Sequence, residues 1–116
     1  MSANSDPHAA YLAAIQNAYE AIDQNFEDVY EHCTTADQKQ TLRSLHVAAR
    51  DTYWRAVAVV LKDDNPVVCE IYAELQQANQ GLRDLIANMQ NISAFITLMT
   101  QAVRLASSLV TLATVA

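Results

Sequence analysis

Glycine is nearly absent from this 116-residue chain, which has only Gly81, and proline occurs twice. Tight hairpins lean on both residues, so an antiparallel sheet protein with many turns is excluded. A phosphate-cradling loop needs several glycines close together and is excluded for the same reason. Two cysteines, Cys33 and Cys69, are too few for a disulfide framework. Basic residues are also scarce: seven Lys and Arg stand against 13 Asp and Glu, a net charge of −6. That balance argues against nucleic acid as a partner, because clustered cations are what displace counterions from phosphates. The last shortage is local. Leu85 to Ala116 carries one charged side chain, Arg104, whereas the first 84 residues carry the other 19.

What remains is a chain with 52% apolar residues arranged at helical spacing. Asp6 followed by Pro7 reads as an N-cap with proline in the first helical position. From there Leu12, Ile15, Tyr19, Ile22, Phe26, Val29 and Cys33 recur at alternating intervals of three and four, a heptad seam. Thr34 to Asp37 resembles a capping box, with aspartate in the place of the usual Glu or Gln, and opens a second helix. Its seam is Leu42, Leu45, Ala49, Thr52, Ala56 and Val59. Lys62 to Pro66 ends that helix and starts another, with Asn65 or Asp64 as cap. A third seam then runs without a miss from Val68 through Leu82, Leu85, Met89 and Ile92 to Ala113.

The fold class is all-α. Residues 66–116 form either one helix of about 50 residues or two of about 25, since Asn88 to Asn91 offers turn and cap residues but no Gly or Pro. Folding back there predicts an antiparallel up-down four-helix bundle of nearly equal segments, one domain over residues 1–116. The alternative is a helical hairpin plus one long C-terminal helix held in an oligomer. An antiparallel first hairpin sets Glu31 opposite Lys39, Glu27 opposite Arg43 and Glu20 opposite Arg50, three pairs that select register more than they stabilise. The same topology sends Cys33 and Cys69 to opposite ends, beyond the roughly 7 Å Cα limit of a bridge.

No constellation of catalytic groups emerges. Glu-x-x-His, the pattern of bundle metal sites, is missing, and Glu27, Asp28 and Glu31 read as a solvated acidic face. Neither a Cys-x-x-Cys pair nor a Gly-x-Ser-x-Gly elbow is present. The expectation is a protein that is not an enzyme and has no cofactor and no metal. Helix two presents Lys39, Arg43, His46, Arg50 and Trp54 on one side, a basic stripe that either meets an anionic partner or pairs with helix one.

The functional expectation rests on the uncharged tail. Beside its seam runs a second apolar row, Phe95, Leu98, Ala102, Leu105, Leu109 and Leu112. Leaving that row in water would forgo several kcal/mol at about 25 cal/mol per Å², so something must cover it. The candidate interaction residues are therefore that row together with Arg104 and Trp54. They point to a protein-interaction module of the adaptor, chaperone-like or immunity type, self-associating as a homo-oligomer. The N-terminal residues show no basic and apolar leader, so the expected site is cytoplasmic. A second expectation is membrane activity through residues 92–116, against which Arg104 near the middle would cost roughly 2.5 to 3.5 kcal/mol.

Overall fold

Asn91 decides how the long apolar run is used. In the computed structural model, which describes residues 7–62, 65–87 and 91–114, the Asn91 Oδ1 accepts a hydrogen bond from the Ala94 N–H at 3.0 Å. That cap starts a new helix, so the run is two helices rather than one of 50 residues. Met89, placed on the seam by its spacing, lies outside the described residues, as do Asp6 and Asp64. Five helices are described: α1 Pro7–Gln24, α2 Phe26–His32, α3 Ala36–Val57, α4 Pro66–Ala87 and α5 Ile92–Ala113. No strand occurs among the described residues.

Three boundaries differ from the sequence expectation, each for a local reason. The first seam is carried by two helices, because the Asn25 side chain donates to the Ala21 carbonyl at 2.8 Å, the acceptor its own backbone N–H would use. Burial nevertheless continues across the break through Ile22 and Val29. The capping box of α3 is shifted by one residue. Thr35 accepts from the Gln38 N–H at 3.1 Å while Gln38 Oε1 takes the Thr35 N–H at 3.3 Å, so the ordinary glutamine serves and no aspartate substitutes for it. Finally, α3 ends at Val57, and Val59 is exposed rather than part of the seam. Leu61 turns inward instead and is 2% exposed.

Packing follows the seams closely. Leu42, Leu45, Ala49, Thr52 and Ala56 are buried along α3, and Val68, Ile71, Leu75, Ala78 and Leu82 along α4. Buried Thr52 is satisfied by donating to the Ala48 carbonyl at 2.8 Å. The α1 face is wider than its heptad seam, since Tyr11, Ala14 and Ala18 are buried as well. Helices pack in the pairs α1–α3, α3–α5, α5–α4 and α4–α1, with α1 and α5 also touching. Both helices bury small side chains, Ala14 and Ala18 on α1 and Ala102 and Ala106 on α5, which suits that fifth contact. Gly81 serves α4–α5 packing: a Cβ there would stand 3.0 Å from Leu98 Cδ1.

The ends of the molecule fix direction. The Leu61 N–H donates to His8 Nδ1 at 3.1 Å and the Lys62 N–H to the Ala113 carbonyl at 2.8 Å. The start of α1, the end of α3, the start of α4 and the end of α5 therefore share one end. It follows that α1 and α4 run one way and α3 and α5 the other, within a compact body of 46 × 24 × 21 Å.

Candidate functional site

The second apolar row of α5 is covered from within. Phe95, Ala102 and Leu109 are each 0% exposed, and Leu98, Leu105 and Leu112 are half-buried against the same core. The sequence argument held that something must exclude water from this row. Here the chain itself does so for three of the six positions, because α5 packs against α1, α3 and α4 and has only one side left over. On that outer side lie Thr97, Gln101, Arg104, Ser108 and Thr111, all exposed. A shallow concavity of about 450 Å³ runs over Ile96, Thr97, Thr100, Gln101, Arg104 and Leu105.

Trp54 stands apart from the row at 60% exposed, its ring tilted against Tyr53 with centroids 5.7 Å apart. Val47, one heptad earlier on α3, is 45% exposed and borders a second open concavity of about 420 Å³ with Arg43, Ser44, Ala48 and Asp51. Val57, Val59, Val60 and Val67 are also exposed, so the large apolar side chains in water concentrate between Trp54 and Val67. All of these belong to the end where α3 stops and α4 starts. The sequence reading missed the valines, although a signal exists: Ala56 to Leu61 is six consecutive apolar residues. One helix face cannot bury such a run, so part of it must face out.

The expected ion pairs of the first hairpin do not form among the described residues. In their place is a train of rings. Phe26 and His46 stack at 4.8 Å, His46 and Tyr19 at 6.3 Å, and Tyr19 and Tyr53 at 5.6 Å, the last leading to Trp54. His46 Nε2 also meets Asp23 Oδ1 at 2.8 Å. Tyr30 takes the cations assigned to Glu31 and Glu27: Lys39 and Arg43 sit 5.2 and 5.3 Å from its ring centroid, and Arg43 also donates to its hydroxyl. Aromatic groups prevail because the α1–α3 seam puts them face to face, whereas the carboxylates remain solvated at its margin.

Charge is unevenly shared among the helices. Together α1, α2 and α4 carry Glu20, Asp23, Glu27, Asp28, Glu31, Glu70, Glu74 and Asp84 against Arg83 alone, a net of −7. Together α3 and α5 carry Lys39, Arg43, Arg50, Arg55 and Arg104 against Asp37 and Asp51, a net of +3. The two sets meet where α3 packs on α1 and α2. None of these side chains is buried. Arg55 also links α3 to α5, donating to Ser107 Oγ at 3.0 Å.

Two polar features lie outside this surface. Asn79, 4% exposed, donates to the Ala14 carbonyl at 3.0 Å while its own Oδ1 has no partner. The cysteines are not bridged to each other: Cys33 is buried and Cys69 exposed, its Sγ 3.9 Å from the Tyr11 hydroxyl, and they lie at opposite ends as expected. Among the described residues no three His, Cys, Asp or Glu side chains gather where they would hold a metal ion. Comparisons with family models, with curated proteins and with solved structures each return no match.

Proposed function

We propose that residues 1–116 form one antiparallel up-down four-helix bundle and that it acts in the cytoplasm without catalysis, as a self-associating protein-interaction module. The working surface in this reading is the outer side of α3 and α5, with Trp54 as its anchor and Leu105 and Arg104 on its border. Phe95, Ala102 and Leu109 belong to the core that supports it. One observation carries the proposal: Trp54 is 60% exposed, the one aromatic among the exposed large apolar side chains of the described residues. An indole left in water at the head of a basic stripe is the kind of side chain that anchors protein interfaces. Topology supports it too, since Thr35 and Asn91 cap the two returns that keep the four segments side by side.

The test is mass in solution. At high micromolar concentration and 0.15 M salt, light scattering is expected to report a mass above that of one chain, and Trp54→Ser to lower it. A wild-type protein that stays monomeric throughout would refute the reading. A second reading has its own observation: α5 is long and apolar enough to cross a membrane by length and composition. It calls for flotation with liposomes that Leu105→Glu abolishes, and absence of flotation removes it.

A further inference from the structure

A groove follows the contact between α1 and α4. Two concavities of about 190 Å³ each lie along it, and Asn17, Asn79 and Arg83 line both. Together they reach the lower end of the roughly 300–1,000 Å³ typical of small-molecule sites. Because α1 packs on α3, α3 on α5, and α5 on α4, the α1–α4 edge lies across the bundle from the side shared by α3 and α5.

The groups along this groove are incompletely matched to one another. Asn79 is 4% exposed, and its amide donates to the Ala14 carbonyl at 3.0 Å, but its Oδ1 accepts nothing. No other buried side-chain oxygen or nitrogen among the described residues lacks a partner. A buried acceptor without a donor is costly, so native structures seldom leave one without a bound molecule or ordered water. Arg83, one turn further along α4, is the only Lys or Arg of α1, α2 and α4, and it donates to Gln80 Oε1 at 2.8 Å. Glu20 of α1 lines the second concavity with Arg83, yet no ion pair joins the two. Opposite charges that border one groove without meeting suit a molecule that carries both.

We infer that the α1–α4 groove binds a free α-amino acid with an uncharged side chain. Its carboxylate pairs with Arg83, and its ammonium turns toward Glu20 and donates to Asn79 Oδ1. Its side chain enters the first concavity, between Ala10, Ala13 and Tyr72. No carboxylate lines that concavity, so a cationic side chain would find no partner there, whereas the small apolar walls and the Asn17 and Gln76 amides accept a neutral one. Because Oδ1 lies beneath the surface, binding requires Gln76 or Arg83 to turn aside. Both are exposed, and they stand one turn to either side of Asn79 on α4.

The experiment is titration of the ¹⁵N-labelled full chain, followed by side-chain and backbone chemical shifts and by thermal unfolding. The probes are L-leucine and L-glutamine, each up to about 10 mM, with their N-acetyl amides as controls that lack both charges. Arg83→Gln and Glu20→Gln are the variants; neither residue is buried, and far-UV circular dichroism verifies that each is folded. Saturable shifts of the Asn17 and Asn79 side-chain amides are expected for at least one amino acid, with a dissociation constant below about 1 mM. The unfolding temperature should rise with that ligand, since it binds only the folded chain. Either substitution should weaken binding at least about tenfold, and the N-acetyl amides should leave the shifts unchanged. Titrations in which neither amino acid saturates overturn the inference, leaving ordered water as the partner of Asn79. Equal binding of an N-acetyl amide, or undiminished binding by both variants, overturns it as well. The readout does not depend on self-association, so this result and the mass in solution fail independently.

Discussion

Cys33 shows how one side chain reports on its surroundings. Burial at the end of α2 pushes its thiol above the ordinary value of 9.0, with the Lys39 ammonium acting the other way as the lesser cause. Its Sγ donates to the Val29 carbonyl at 3.3 Å, which also favours the protonated form. A raised acid pKa in the folded state means the unfolded chain ionises first. The stabilisation is whole below the unfolded value and is lost as pH rises toward the folded one. Wild type should therefore lose stability relative to Cys33→Ala as pH rises through and beyond the ordinary thiol value of 9.0, in paired urea titrations. In the same protein at pH 8, a thiol reagent should modify exposed Cys69 first and Cys33 only on opening. Opposite-end placement of the two cysteines followed from counting heptads; the burial of one and exposure of the other did not, because each sits at a helix margin where neighbours from other elements decide.

Among elements, the first hairpin teaches the most. The sequence allowed two determinants of its register, an apolar seam and three charge pairs, and only the seam appears in the structure. Tyr19 is the central ring, stacked between His46 and Tyr53. Tyr19→Ala should cost about 2 kcal/mol in urea unfolding, from the two ring contacts and the lost burial. Glu20→Gln and Glu27→Gln should each change stability by less than about 0.5 kcal/mol, the scale of an exposed charge. Equal losses from the tyrosine and the glutamates would contradict this assignment. Heptad spacing located the seam because a residue's face on a helix is set by local geometry alone. It could not rank rings above charges, since that depends on the distance between two helices. The break at Asn25 escaped the same reasoning: a 3,4 pattern persists through a one-residue interruption, and only the side-chain bond to Ala21 distinguishes a broken helix from a whole one.

At the scale of the molecule, the residue that closes the core lies in no helix. Leu61, in the link between α3 and α4, is 2% exposed at the end where four helix termini meet, held by its own N–H bond to His8 and by the bond from the neighbouring Lys62 N–H to the Ala113 carbonyl. Leu61→Ala should cost about 2 to 4 kcal/mol, as much as a core helical leucine, while Val60→Ala beside it should cost almost nothing. Measured unfolding free energies that rank the two the other way would show that the link does not cap the core. Charge belongs to this scale too. Every ionised residue was visible in the sequence, but which of them meet, as His46 of α3 meets Asp23 of α1, comes only from how the segments pack.

The amino-acid sequence alone determined that the chain is helical, where its seams run, that the long apolar run can turn back at Asn88 to Asn91, and that one end of the chain must be kept dry. Those properties follow from spacing, caps and side-chain polarity within a few turns of helix, which are local. What keeps the terminal segment dry was decided only by the tertiary structure. A helix that touches three neighbours buries two adjoining faces, so most of the work assigned to an outside partner is done by α1, α3 and α4. The same packing moved the exposed apolar surface to Trp54 and the valines after it, because area left over once a core is complete depends on every helix at once.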